Sequence, residues 1–153
     1  MVSWGEFEKA EPEFAATVRR AFELRKHKTI ATLRADGSPR ISGIETEFAD
    51  GELTFGSMPG ARKGADLHRD PRFALHGPTT DPTDGDPSAW PGEAKISGRA
   101  YPSALPDGAD QPAGDLFRAD VEQVVFTELN ATADRLVVRS WRPGQGLRRV
   151  ERA

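Results

Sequence analysis

Two Asp-Gly turns in the first third of the chain constrain its fold more than any other feature. The dipeptides Asp36-Gly37 and Asp50-Gly51 each lie between runs rich in apolar and β-branched residues. Asp-Gly in that setting is a strong hairpin signal, because glycine supplies the positive φ that a tight turn needs. The pattern predicts an antiparallel meander of three strands. These strands are Thr29–Arg34, Pro39–Phe48 and Glu52–Ser57.

Further segments with strand patterns follow the meander, separated by prolines, glycines and polar residues. A short helix is predicted at Arg62–Arg69, and Pro71 ends it because proline cannot continue a helix. Loops are predicted at residues 77–92 and 102–114. Gly98 indicates a bulge or a close approach of two backbones within a strand. The remaining predicted strands are Arg72–His76, residues 93–101, residues 121–129 and residues 135–141.

An amphipathic helix is predicted before the meander, at about residues 12–26, with Pro12 in its first turn. The barrel then extends over about residues 29–142, and residues 143–153 form a C-terminal tail. Short strands with turns about every 8–12 residues and few helices are typical of a small closed β-barrel. The chain contains no internal repeat or linker, so we expect a single domain over residues 1–153.

The absence of cysteine excludes disulfides, thiolate zinc sites and a cysteine nucleophile, and it is compatible with a reducing cytoplasm. The net charge is -3, with 24 acidic and 21 basic residues, which does not favour nucleic acid or an anionic membrane as a partner. The N-terminal segment lacks the apolar core of a signal peptide, and no apolar run approaches the roughly 20 residues that cross a bilayer. We therefore expect a cytoplasmic protein that binds neither nucleic acid nor a membrane.

Two adjacent cations, Arg62 and Lys63, open the short predicted helix behind a loop of small residues. Cations at a helix N-terminus are slightly unfavourable unless an anion is present, because the helix dipole is positive there. The free backbone N–H groups of a helix start bind phosphate, and Gly60 allows the backbone to come close to it. The pattern leaves two interpretations open: a phosphate site, or a helix start that faces solvent.

No motif marks a metal site or a side chain for acid–base chemistry. The histidines His27, His68 and His76 lack the i, i+4 spacing of a helical metal site, and no G-x-S-x-G turn marks a nucleophile. We therefore predict neither a metal site nor a catalytic side chain. Trp141, which a glycine-containing segment and two arginines follow, has two open interpretations: a core residue before a basic tail, or part of a ligand site.

Several short motifs, in one order, resemble a known family. They are the D-G-x-P hairpin, the DGEL turn, the loop that ends in RK, the DLHRDPR helix exit and the strand after it. Together they cover residues 29–76, and weaker matches follow in AKISGRA and in the terminal W…GLRR. In these motifs the chain resembles the pyridoxamine 5′-phosphate oxidase-like superfamily, whose members bind FMN or the deazaflavin coenzyme F-420.

The resemblance implies a mainly β fold, a split antiparallel β-barrel of about six to seven strands with a few short α-helices. It also implies a homodimer with cofactor sites at the subunit interface. Carried over by position, Arg62 and Lys63 hold the cofactor phosphate, and four neighbours lie along the phosphate and ribityl chain. These neighbours are Ser42, Ser57, Met58 and Gly60. Trp141 and Arg148 of the partner subunit flank the ring or the substrate.

The second predicted strand carries Ser42 and Glu47 where pyridoxamine phosphate oxidases of this family have cations for the FMN phosphate. The resemblance therefore favours members that use FMN, or alternatively F-420, over vitamin B6 oxidases. It implies an oxidoreductase in which the cofactor transfers hydride to or from a small planar substrate. Two alternatives stay open: a non-catalytic flavin- or haem-binding carrier or sensor on the same fold, and a structural dimer with a degenerate site.

Overall fold

The computed structural model describes residues 1–104 and 114–153. The helices are α1 (Trp4–Ala10), α2 (Pro12–Glu23) and α3 (Arg62–Arg69), with a short 3-10 turn at Pro87–Ala89. The strands are β1 (His27–Leu33), β2 (Pro39–Ala49), β3 (Glu52–Ser57), β4 (Arg72–His76), β5 (Glu93–Ser103), β6 (Asp115–Leu129), β7 (Leu136–Arg142) and β8 (Gly146–Arg152). None of the helices in this described part of the chain is long and apolar enough to span a membrane.

The strands form one antiparallel sheet in the order β3-β2-β1-β4-β5-β6-β7-β8. β3, at the edge of this order, also pairs with β6, where Phe55 lies opposite Phe117. This pairing closes six strands into a barrel, and β7 and β8 extend the sheet beyond it. The predicted fold class, a mainly β antiparallel barrel with a few short helices, is confirmed.

The barrel interior and the first two helices share one apolar core. Inward-facing residues alternate along the strands, as in β1, where Ile30 and Thr32 are buried and the residues between and beside them are more exposed. Aromatic rings join the helices to the sheet: Phe7 of α1 contacts Phe14 of α2 and Trp141 of β7, with ring centroids 5.9 and 4.8 Å apart. Burial of each such side chain contributes about 1.5–3 kcal/mol.

The N-terminal region contains two helices where the sequence pattern predicts one. α1 begins with a capping box: Ser3 Oγ accepts from the backbone N–H of Glu6 at 3.2 Å, and the Glu6 carboxylate accepts from the backbone N–H of Ser3 at 2.7 Å. The S-x-x-E spacing in the sequence carries this signal. α2 begins at Pro12 as predicted but ends at Glu23, three residues before the predicted end.

The C-terminal residues form a strand, so the predicted tail over residues 143–153 is wrong. β8 pairs with β7, and the turn between them places Gly144 and Gly146 at positive φ, 74° and 72°. Every side chain from Leu147 to Arg152 is exposed. Because no residue of this strand faces the core, its sequence lacks the apolar alternation that marks a half-buried strand.

β6 is longer than the predicted strand at residues 121–129, because it begins at Asp115. Its first residues pair with β3 and its last residues pair with β7, so one long strand serves both the barrel and the extension. The predicted loop at residues 102–114 begins inside β5, which ends at Ser103. Residues 105–113 of that loop lie outside the described residues.

Gly98 lies at a register shift between β5 and β6, which confirms the irregularity that its position predicts. A Cβ atom on this residue would lie 1.8 Å from the carbonyl oxygen of Asp120. We therefore expect Gly98→Ala to lower the free energy of unfolding by about 1–3 kcal/mol, the usual cost of overpacking. Urea denaturation followed by circular dichroism measures this change.

Gly43→Ala is the matched control, because a Cβ atom on Gly43 meets no atom within 4 Å. Its free energy of unfolding should stay within about 0.5 kcal/mol of the wild type. Equal losses in the two variants would contradict the idea that the register shift requires a residue without a side chain.

Candidate functional site

The start of α3 is held beside two strands by the loop that precedes it. The chain leaves β3 at Ser57, turns at Gly60 with a φ of +72°, and enters α3 at Arg62. The backbone N–H of Ala61 donates to the carbonyl oxygen of Met58 at 3.0 Å, which closes this turn. The helix start has no side-chain cap and no acidic residue in its first turn. Its first N–H groups therefore lack the side-chain partners that often satisfy a helix N-terminus.

A hollow of about 440 Å³ lies beside this helix start, against β2 and β3, and we call it the α3 hollow. Lys63 extends into it, and its ammonium nitrogen donates to the carbonyl oxygen of Gly43 at 2.9 Å. The lining residues are His27, Gly43, Ile44, Glu45, Gly56, Ser57, Met58, Pro59, Lys63 and Gly114. Three of the predicted site residues, Ser57, Met58 and Lys63, are therefore brought together.

The hydroxyl of Ser57 is buried and has no hydrogen-bond partner among the described residues. Gly64 of α3 lies against it: a Cβ atom on Gly64 would lie 2.6 Å from Ser57 Oγ and 2.7 Å from Oδ2 of Asp115. Asp115 also contacts Nε2 of His68, at 2.9 Å through Oδ1. Buried polar atoms are nearly always paired in native proteins, so the Ser57 hydroxyl points to a water or ligand partner.

Arg62 lies on a different side of α3 from Lys63, because successive helix residues are about 100° apart around the axis. It lines a second hollow, of about 400 Å³, between α3 and the β1–β2 hairpin, which we call the arginine groove. The other charged residues that line this groove are Arg34, Asp36, Arg40, Asp66 and Arg69. The two cations predicted to share one phosphate therefore border two different hollows.

Asp66 is a buried charge that joins α3 to the barrel. The residue is 2% exposed, and its carboxylate accepts hydrogen bonds from Thr32 Oγ1 at 2.8 Å and from the guanidinium groups of Arg40 and Arg69 at 2.7 and 2.9 Å. Burial raises the pKa of this carboxyl, but the bonds from Arg40, Thr32 and Arg69 outweigh burial and hold the pKa at about 2. The carboxylate is therefore ionised at neutral pH.

The other predicted site residues lie outside the α3 hollow. Gly60 forms the turn before α3, and Ser42 is half-buried on β2. Trp141 is 6% exposed and packs on Phe7, which agrees with the first of its two open interpretations, a core residue. Arg148 is exposed on β8. The contacts of these residues with a cofactor stay predictions.

Three residues that shape the site are not predicted from the sequence patterns: Gly43, Gly64 and Asp66. Gly43 contributes its backbone carbonyl oxygen, which accepts from Lys63 and which any residue type would offer, so the residue type carries no signal. Gly64 and Asp66 belong to a short polar helix, and their neighbours come from strands distant in the sequence. No local pattern could have identified them.

A further hollow, of about 640 Å³, lies on the outer face of β1, β4, β5 and β6. Much of its wall consists of small or apolar residues, including Ala31, Ala74 and Val125. Ile41 of β2 borders it and is 76% exposed. An exposed isoleucine beside such a wall is typical of a surface that contacts another chain.

A family model described as Pyridoxamine 5'-phosphate oxidase matches residues 14–128, a range that contains every residue of the α3 hollow. The chain belongs to this family. The family predicted from the motifs at residues 29–76 is therefore confirmed. Among curated proteins, no sequence matches this member of the pyridoxamine 5′-phosphate oxidase family.

Solved structures share the fold. A pyridoxamine 5′-phosphate oxidase-related, FMN-binding protein from Nostoc punctiforme PCC 73102 has 12% identity and a TM-score of 0.61, over 94% of this chain and 96% of that chain. HutZ, the haem storage protein of Vibrio cholerae, has 18% identity and a TM-score of 0.55, over 75% and 92% of the two chains. An F420 reductase has 13% identity and a TM-score of 0.51, over 69% and 94%.

The α3 hollow of this pyridoxamine 5′-phosphate oxidase family member has positive charge and free backbone N–H groups, which are chemical features of an anion site. Phosphate oxygens require hydrogen-bond donors and positive charge, and the hollow offers the Lys63 ammonium beside the uncapped helix start. Within residues 1–104 and 114–153, no group of three or more His, Asp or Glu side chains is arranged to hold a metal ion.

Asp66 contributes stability that depends on pH. An aspartate in an unfolded chain has a pKa of about 3.9, whereas the pKa of Asp66 in the folded protein is about 2. The stabilisation is therefore complete above about pH 4 and is lost as the pH falls towards 2. We expect Asp66→Asn to lower the free energy of unfolding at pH 7, with a pH-dependent part of about 2–3 kcal/mol. Urea denaturation at pH 7 and at about pH 3 measures the free energy of unfolding of the variant and the wild type. The difference between the two proteins should be smaller at pH 3 than at pH 7.

Asp70→Asn is the comparison variant, at the C-terminal cap of α3. Among the described residues Asp70 bonds to Arg72, which holds the pKa of its carboxyl at about 2 as well, but Asp70 is only half-buried and Arg72 is exposed. Exposed ion pairs stabilise proteins little, so this variant should lose less stability than Asp66→Asn at pH 7. If the free energy of unfolding differs between wild type and Asp66→Asn by the same amount at both pH values, the ionised, hydrogen-bonded state of Asp66 is contradicted.

Proposed function

We propose that the protein is an oxidoreductase that binds FMN non-covalently in the α3 hollow and transfers hydride between the flavin and a small planar substrate. One observation carries the proposal: the Lys63 ammonium and the uncapped start of α3 border one hollow, next to a buried Ser57 hydroxyl that has no partner among the described residues. Membership of the family supports a flavin-type cofactor, as does the likeness to the FMN-binding protein of Nostoc punctiforme. The cytoplasmic location stays a prediction.

The residues of the chain bind and orient the cofactor. Lys63 and the N–H groups of the first turn of α3 bind the phosphate, since charged hydrogen bonds are stronger than neutral ones. Ser57 lines the wall beside this group, and Met58, which is 76% exposed at the rim, lies along the ribityl chain. The flavin supplies the hydride chemistry, so the proposal assigns no catalytic side chain.

A second copy of the chain completes the site in this proposal. Ile41 and Gly43 are two residues apart on β2, so their side-chain positions lie on the same face of the sheet. Ile41 borders the outer-face hollow and Gly43 borders the α3 hollow. A homodimer that buries the outer face therefore brings the partner close to the cofactor.

The coenzyme F-420 is the alternative cofactor, because one phosphate-facing lysine suits both molecules and because an F420 reductase has this fold. A second candidate function is a non-catalytic carrier or sensor, which the likeness to the haem storage protein HutZ favours. A structural dimer with a degenerate site is the third candidate.

The visible absorption spectrum of the native protein, with mass analysis of what is released on denaturation, identifies the ligand. Turnover with NAD(P)H and FMN, or with reduced F-420, separates an enzyme from a carrier.

Lys63→Ala should weaken FMN binding by about 1.5–3 kcal/mol, because it removes one charged hydrogen bond to the phosphate. Titration of FMN into the apoprotein, followed by flavin fluorescence, measures the dissociation constant, and the same titration with F-420 tests the alternative cofactor. Lys9→Ala is the matched control, since Lys9 is an exposed lysine on α1, outside the α3 hollow. Equal affinities of the wild type and Lys63→Ala would remove Lys63 from the cofactor site.

Ile41→Lys should shift the protein from dimer to monomer, because it places a charge on an exposed apolar residue of the proposed interface. Sedimentation equilibrium measures the dimer dissociation constant, which we expect to rise by about tenfold or more, as for a substitution that buries an unpaired charge in an interface. Leu24→Lys serves as the control, because Leu24 is also an exposed apolar residue, at 48%, but lies outside the outer-face hollow. A wild-type chain that sediments as a monomer would overturn the dimer proposal.

A further inference from the structure

α3 has little of its own to hold it in place. It has eight residues, and those that are buried are Gly64, Asp66 and Leu67. Isolated helices of this length are unstable in water, so tertiary contacts must set the position of α3. Of these three buried residues, Leu67 is the one with an apolar side chain to pack against the barrel. Apolar packing lacks direction, and the orientation of the helix about its axis therefore depends on its polar contacts.

Asp66 makes the most directional of these contacts. Its Oδ2 accepts from Thr32 on β1 and from Nε of Arg40 on β2, and its Oδ1 accepts from Arg69 on α3 itself. Arg69 also donates to the carbonyl oxygen of Leu33, at 2.8 Å. One buried carboxylate thus fastens the middle of α3 to both strands of the first hairpin.

The contact of Lys63 spans the same two elements. Lys63 lies three residues before Asp66 on α3, and Gly43, its acceptor, lies three residues after Arg40 on β2. Residues three apart on a helix are neighbours on its surface. A rotation or shift of α3 that breaks the Asp66–Arg40 pair therefore also displaces the Lys63 ammonium from the α3 hollow.

We propose that Asp66 is a positioning residue for cofactor binding, which holds α3 against β1 and β2 so that Lys63 faces the α3 hollow. This inference rests on the proposed function of that hollow. Asp66 lines the arginine groove and is absent from the lining of the α3 hollow, so it acts through Lys63 and not by contact with the cofactor. Hydrogen bonds between charged groups suit this role, because they add geometric specificity to attraction.

The direction in which Asp66→Asn changes FMN affinity distinguishes a positioning role from a purely electrostatic one. Asp66→Asn removes a negative charge near the phosphate site, which by charge alone would tighten the binding of an anion. If Asp66 instead holds Lys63 in position, the substitution displaces Lys63 and weakens the binding of the anion. Arg40→Lys offers a second variant, because it keeps the positive charge at position 40 but loses the planar geometry of the guanidinium.

A double-mutant cycle on the whole chain tests the proposal, with FMN as the titrant and circular dichroism to select conditions in which each variant is folded. Asp66→Asn should raise the dissociation constant for FMN by about fivefold or more in the wild-type background and by less than about twofold in the Lys63→Ala background. Arg40→Lys should show the same dependence on Lys63. Asp70→Asn, at the end of the same helix, should change the constant by less than about twofold.

Tighter or unchanged FMN binding in folded Asp66→Asn and Arg40→Lys, beside weakened binding in Lys63→Ala, would overturn this inference and leave the proposed function standing. The inference would also be overturned if Asp66→Asn weakened FMN binding equally in the wild-type and Lys63→Ala backgrounds, because the effect of Asp66 would then not depend on Lys63. If Lys63→Ala itself binds FMN as the wild type does, the proposed function fails and this inference fails with it.

Discussion

The pairing of β3 with β6 is the contact on which the candidate site depends. It joins segments far apart in the sequence, closes the sheet into a barrel and places Ser57 opposite Asp115. Those two residues lie directly against Gly64, where α3 has no side chain to separate them from the helix. Phe55 and Phe117 stack inside the barrel at the same closure, with ring centroids 6.3 Å apart. Core packing and the geometry of the α3 hollow are therefore set by one set of strand contacts.

A second constraint is the unfavourable placement of two cations at the start of α3, where the helix dipole is positive. The fold resolves it by directing the two side chains to different places. Arg62 borders a groove that also contains the carboxylates of Asp36 and Asp66. Lys63 has one described hydrogen-bond partner, the carbonyl oxygen of Gly43, and faces a hollow that no arginine lines in the part of the chain that the structure describes. In the proposed site, the positive charge at this hollow therefore comes from one lysine and from the backbone N–H groups of the helix start.

Local patterns predicted the parts of the fold that local physics determines. The Asp-Gly turns, the prolines and the alternation of apolar residues located β3, α3 and β4 with the bounds that the structure has, and order-dependent motifs identified the family. β8 escaped prediction because its side chains face solvent, and α1 was missed although its capping box was legible in the sequence. The division of Arg62 and Lys63 between two hollows, and the role of Asp66, depend on strands that meet only after closure. No window of adjacent residues contains that information.

Closure also decides how much of the sheet is left open to other chains. β3 is paired on both sides, with β2 and β6, whereas β8 has β7 as its one described neighbour. An unpaired strand edge is a template for aggregation, and charged side chains are a common defence against it. β8 carries three arginines, at positions 148, 149 and 152, and all are exposed. The basic character of this C-terminal strand therefore works against edge-to-edge pairing with a second copy, because the arginines of the two copies would repel each other.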